Sequence, residues 1–109
     1  MRSTKIRYPL IRKKTVFDKK RVFITGGSSG IGLATAKLLV RRGADVCIVA
    51  RNIPRLERAR RILELMRVSD DQRILGLPID VTKLTHIRIC ACKVIEEWGG
   101  IDLLINNAG

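Results

Sequence analysis

Thr25-Gly26-Gly27-Ser28-Ser29-Gly30-Ile31-Gly32 is the stretch on which the reading of this chain turns. Before it, Val22-Phe23-Ile24-Thr25 is a short apolar run that reads as a buried strand; after it, Ile31, Ala34, Leu38 and Leu39 fall at helical spacing on one face. The order is strand, glycine turn, helix. In that setting Gly26 allows a tight turn, Gly30 lets backbone approach a pyrophosphate, and Gly32 lets the helix pack close to the strand. Free backbone N–H groups from Ser29 to Ile31, with the dipole at the helix start, then face the ligand's negative charge. The stretch reads as a phosphate cradle.

A magnesium-nucleotide P-loop is excluded, because it ends in Gly-Lys-Ser/Thr and here Leu33 and Ala34 follow Gly32. The glycines fall as G-x-x-x-G-x-G, not in the common dinucleotide spacing G-x-G-x-x-G. With 109 residues and 46% hydrophobic content, the chain is long enough for one small domain with a core. Cys47, Cys90 and Cys92 are an odd number without metal-ligand spacing, which disfavours disulfides and structural zinc and points to a reducing, cytoplasmic setting. No apolar run approaches bilayer-spanning length, and the N-terminus lacks the hydrophobic region of a signal peptide.

The net charge of +12 is concentrated at the front, where Arg2, Lys5, Arg7, Arg12, Lys13, Lys14, Lys19 and Lys20 stand against the single acid Asp18. Residues 1–20 are therefore set apart as a basic arm, which suits an anionic membrane surface, nucleic acid or plain solvent. Nucleic acid is not expected, since only Tyr8 and Phe17 are interleaved as stacking aromatics. Behind the arm, Asp45–Ala50 reads as a second strand, with Cys47 in the core. Asn52 and Pro54 open a second helix with the apolar stripe Leu56, Ala59, Leu63 and Met66. Glu57 with Arg61 and Arg60 with Glu64 are spaced for exposed pairs. Ser69–Gln72 reads as a polar loop and Arg73–Asp80 as a third strand, placed at a sheet edge by Pro78. A third helix starts at Thr82 or Lys83, with the stripe Leu84, Ile87, Ala91, Val94, Ile95 and Trp98 and with His86 on the surface. Gly99-Gly100 ends it, and Ile101–Asn106 reads as a fourth strand. The alternation β-α-β-α-β-α-β is that of an open α/β sheet.

Thr25-Gly-x-x-x-Gly-x-Gly32, Asp80-Val81 after the third strand and Asn106-Asn107-Ala108-Gly109 after the fourth together resemble the short-chain dehydrogenase/reductase family over residues 21–109. The resemblance implies a Rossmann-type doubly wound parallel sheet with strand order 3-2-1-4, truncated relative to the family. It also implies a dinucleotide bound along Gly26, Ser28, Ser29, Gly30, Ile31 and Gly32. Asp80 and Val81 would bracket the adenine, and Asn107, Ala108 and Gly109 would line the cleft behind a brace on the sheet. Where the second strand ends, an acid would accept from a ribose 2′-hydroxyl, but this chain has Ala50 and then Arg51, a donor suited to a 2′-phosphate. NADP(H) is the expected cofactor, with Ser28 able to add a hydroxyl. A narrower similarity, carried by Val49-Ala50-Arg51-Asn52 and the long basic helix before Asp80, is to 3-ketodihydrosphingosine reductases, which implies a long-chain ketone substrate.

The family's catalytic Ser, Tyr, Lys and supporting Asn lie beyond Asn-Asn-Ala-Gly, where this sequence ends, and the one tyrosine, Tyr8, has Arg12 and not Lys four residues on. No catalytic residue is therefore assigned, no metal is expected, and the 109 residues are expected to be inactive alone. A fourth strand carrying Leu103, Leu104 and Ile105 at the sheet edge would favour self-association. The alternative from a different class is a non-catalytic protein that binds NADP(H), or one that uses its arm on an anionic surface or nucleic acid.

Overall fold

A computed structural model of the protein describes residues 12–80 and 82–107. Seven elements alternate along it: β1 (Arg21–Thr25), α1 (Gly30–Arg41), β2 (Asp45–Ala50), α2 (Ile53–Leu65), β3 (Ile74–Pro78), α3 (Leu84–Trp98) and β4 (Leu103–Asn106). All strand pairings are parallel and the order is β3-β2-β1-β4, as the sequence pattern and the resemblance predict. Period-two alternation sends successive side chains to opposite faces. Val22, Ile24, Val46 and Ile48 meet Ala36, Leu39 and Val40 of α1 and Leu56, Ala59 and Leu63 of α2. Phe23, Cys47 and Val49 meet Cys90, Val94 and Trp98 of α3 on the other face. Because both faces are covered, β2 is buried along its whole length, which is why Val46–Ala50 is one continuous apolar run and the buried Asp45 before it is paired with Arg73.

Local signals act where they were read. The Asn52 side chain accepts from the Arg55 amide at 2.9 Å and caps α2, with Pro54 in the first turn. Gly99 closes α3 in the left-handed region, at φ 82°. Pro78 lies on β3, an edge strand. Arg61 reaches Glu57 at 3.6 Å and Arg60 reaches Glu64 at 3.9 Å, and Arg60 also holds Glu57 at 2.5 Å.

The helix faces differ from expectation. On α1 the buried residues are Gly32, Ala36, Leu39 and Val40, whereas Ile31, Ala34 and Leu38 of the expected stripe are exposed. The helix is apolar nearly all round, so periodicity alone does not fix its phase; the close approach at Gly32 does. On α3 the inward residues are Cys90, Val94 and Trp98, while Leu84 and Ile95 are exposed. The expected polar loop hides a structural residue, Gln72, which is buried. Its amide donates to the carbonyls of Val40 and Ala44, both at 2.8 Å, and accepts from the amides of Val68 and Ser69. One side chain thereby satisfies the polar ends of two connections.

Residues 12–20 are docked against the α1–β2 connection. The Thr15 hydroxyl donates to the Arg42 carbonyl at 2.6 Å, the Lys19 amide to the Gly43 carbonyl at 3.0 Å, and Phe17 packs on the larger core. Arg12 pairs with Asp18, which also accepts from the Thr15 amide. At the same end of the sheet Arg21 grips Asp102 through two nitrogens, at 2.9 and 3.0 Å, and so ties the start of β1 to the approach to β4.

Candidate functional site

In a parallel sheet every strand delivers its carboxyl end to the same edge, and here that edge gathers the chemistry. β1 ends in Thr25 and the turn 26–29, β2 in Ala50 and Arg51, β3 in Pro78 and then Asp80, and β4 in Asn106 and Asn107. The chain crosses from β1 to β2 on one side, and β4 lies on the other, so a crevice opens where the strand order reverses, above β1 and β4.

Within that crevice the turn is held open by its glycines. Gly26 and Gly30 have φ of 67° and 57°, conformations in which a side chain is strained. A Cβ on Gly30 would meet nothing within 4 Å, so this stretch of backbone borders open space. A Cβ on Gly32 would fall 2.1 Å from the Gly26 carbonyl oxygen and 2.8 Å from Nδ2 of Asn107, so α1 can start this close to β1 only with glycine there. Gly27, to which the sequence reading gave no task, is just as constrained, since its Cβ would lie 2.4 Å from Cγ2 of Ile48. Ser29 is the N-cap of α1 but its side chain makes no capping bond. The amides of Gly30, Ile31 and Gly32 meet no acceptor among the described residues, the Leu33 amide being the first to bond back, to the Ser29 carbonyl, and the positive end of the helix dipole is left for an anion. Ser29 and Ile31 are exposed beside it, whereas Ser28 is buried.

The floor of the crevice is braced by a residue absent from the sequence-based site. The Thr25 hydroxyl donates to Oδ1 of Asn106 at 2.7 Å and accepts from the Asn107 amide at 3.0 Å, and Nδ2 of Asn107 reaches the Gly26 carbonyl at 3.5 Å. β4 is thus fastened to the glycine turn by side chains, beyond the strand ladder itself. At the far end, Arg51 stands exposed on a bend just after β2, and Asn52 is committed to capping α2. The Asp80 carboxylate accepts from the Thr82 hydroxyl at 2.5 Å and from the Thr82 amide at 3.0 Å. Those two bonds, followed by the charges of Arg51 and Lys83, hold its carboxyl below the ordinary carboxylate range, so Asp80 is an anion that only accepts. Val81, Ala108 and Gly109 lie outside the described residues, as do Tyr8 and residues 1–11 generally.

A family profile for the short chain dehydrogenases matches residues 20–109. The chain belongs to the short-chain dehydrogenase family. That family consists of oxidoreductases built on an NAD(P)-binding Rossmann fold, and the four-strand order and the glycine turn are its shared part. A dehydrogenase/reductase SDR family protein 7-like protein of Dictyostelium discoideum is 40% identical over 105 residues, which are 93% of this chain and 33% of that one. A 3-dehydrosphinganine reductase of Danio rerio is 34% identical over 103 residues, 93% of this chain and 31% of that protein. L-sorbose reductase from Gluconobacter frateurii, solved with NADPH and L-sorbose, superposes with a TM-score of 0.74 at 36% identity, covering 84% of this chain and 34% of its own. This short-chain dehydrogenase sequence therefore spans about a third of the length of the relatives it matches.

Proposed function

We propose that residues 21–109 form the NADP(H)-binding part of a short-chain reductase that acts on a ketone, with a long-chain ketone of the 3-ketodihydrosphingosine type as the substrate class. Arg51 carries the cofactor preference. It stands exposed where β2 ends, at the position from which the ribose 2′ oxygen is read, and Ala50 before it supplies no carboxylate to repel a phosphate. The residues present fit the dinucleotide: the open first turn of α1, at Gly30 and Ile31, takes the pyrophosphate; Arg51 takes the 2′-phosphate, with the Ser28 hydroxyl and with Asn52, whose capping bond uses only Oδ1, as the further donors the resemblance offers; and the Asp80 carboxylate accepts from the adenine amine. Val81, Ala108 and Gly109 complete the list by resemblance. The bound nicotinamide supplies the hydride. The chain's own contribution is to bind and orient: Gly26 and Gly32 shape the turn, and Asn107, locked to Thr25, keeps the cleft wall in register with the turn.

The long-chain ketone is supported by the likeness to the 3-dehydrosphinganine reductase and by the Ala50-Arg51-Asn52 run. No Ser, Tyr and Lys set for proton transfer is assigned within the 109 residues, so the chain by itself should bind cofactor without turnover. Calorimetric titration with NADPH and with NADH tests the reading. A well-formed charge-assisted bond contributes about 1.5–3 kcal/mol, so NADPH should bind roughly tenfold to 150-fold tighter than NADH, and Arg51→Asp should abolish or reverse the preference. Equal affinity for the two cofactors, unchanged in Arg51→Asp, would refute it.

A further inference from the structure

The end of the molecule opposite the crevice carries a second surface. The segment 12–20 lies across the α1–β2 connection, at the amino ends of the strands, and brings its lysines next to the last residues of α1. Lys13, Lys14, Lys20, Arg41 and Arg42 are all exposed there, and none has an acidic partner within ion-pair distance among the described residues. Most acids at this end are already engaged: Asp18 by Arg12, Asp102 by Arg21, Asp45 by Arg73, and Asp71, weakly, by Lys19 at 3.9 Å. Lys14 and Lys20 also act through space on Asp18 and Asp102, but those carboxylates are already held by Arg12 and Arg21, so among the described residues the five cations stand mainly against Asp70 and part of the Asp71 charge. Among the basic residues, at the outer turn of the segment, Val16 is 78% exposed, next to a Phe17 that is turned inward onto the core.

We propose that this pole docks on an anionic lipid surface, with Lys13, Lys14, Lys20, Arg41 and Arg42 facing the headgroups and Val16 entering the headgroup layer. Free cations next to anionic lipid are each worth about fivefold in binding, so five acting together bind a membrane without any spanning helix. No helix among the described residues is long and apolar enough to cross one. A lipid surface fits better than nucleic acid because the residue presented among the cations is a small aliphatic one, which partitions into a headgroup layer; among the described residues no exposed aromatic is presented there for base stacking. Since the surface lies at the amino ends of the parallel strands, docking leaves their carboxyl ends, and with them the crevice, facing away from the lipid.

The test is sedimentation of the 109-residue chain with vesicles of phosphatidylcholine alone, or with about a third phosphatidylserine, at low and high salt. The chain should sediment with the phosphatidylserine vesicles only, and 0.5 M salt should release it. Lys13→Gln, Lys14→Gln, Arg41→Gln and Arg42→Gln combined should weaken binding by more than a hundredfold while the circular dichroism spectrum stays unchanged. Val16→Asp should weaken vesicle binding several-fold and leave the anisotropy of a labelled DNA duplex unaltered. The proposal is overturned by no binding to the anionic vesicles, by binding that survives the fourfold variant, or by tighter binding to the duplex that ignores Val16.

Discussion

Asp102 shows most directly how single side chains hold this sheet. Its carboxyl is held well below the ordinary range by the Arg21 side chain and then by the Arg21 amide. A folded value depressed below the unfolded one contributes stability above about pH 4, and the contribution fades as pH falls from there toward the folded value. Asp102→Asn should therefore lower the thermal midpoint at pH 7 and cost progressively less below about pH 4, as read by melting curves across that range. Gln72 acts in the interior. Gln72→Leu leaves the Ala44 carbonyl without the Gln72 donor and the Val40 carbonyl with the Gly43 amide alone, and it takes the acceptor from the Val68 and Ser69 amides; at about 1–3 kcal/mol per buried unsatisfied group the loss should come to roughly 3 kcal/mol in urea titration. The thiols separate by burial: burial pushes Cys47 up to about 12 and also raises Cys90, whereas Cys92 is exposed. A chromogenic disulfide reagent at pH 8 should label one thiol quickly in the folded chain and the other two only after unfolding.

Among the elements, the helices differ in how well their ends are made. α2 has its Asn52 cap and first-turn proline, but α3 begins at Lys83, whose side chain makes no capping bond and whose charge sits at the positive end of the helix dipole. Lys83→Asp should stabilise the chain by about 0.5–2 kcal/mol, seen as a higher midpoint in denaturant. The type and order of the elements were legible in the sequence because apolar runs, glycine stops and the Asn52-x-Pro54 start are local signals. The inward face of α1 was not, because Ile31, Leu33, Leu38 and Val40 give apolar positions on every side; contact between Gly32 and Gly26 decides it. On α3 the same ambiguity hid Cys90 behind Leu84 and Ile95. The glycine turn itself was legible in advance, since a backbone that tolerates no side chain must be written with glycine. Thr25 was not, because its partners Asn106 and Asn107 lie 81 and 82 residues away and no local pattern links them.

For the molecule as a whole, β4 is an open edge, with Leu104 59% exposed and Leu103 beside it. Unpaired edge amides beside apolar side chains recruit further strands, so the 109-residue chain should associate as its concentration rises, and Leu104→Lys should reduce this. Sedimentation velocity decides the point, and a lone sharp monomer boundary at high concentration would overturn the expectation. The strand order has a further consequence, in time. β1 sits between β2 and β4, and its ladder to β4 joins Val22 to Leu103 and Thr25 to Asn106. Contacts this distant close a long loop and form late, after the nearer pairings of β1, β2 and β3. During synthesis the glycine turn emerges early, but its brace does not exist until Asn106 and Asn107 have left the ribosome. A nascent chain stalled before residue 103 should accordingly fold its first three strands and still fail to retain nucleotide, so that the ability to bind arrives with the last strand.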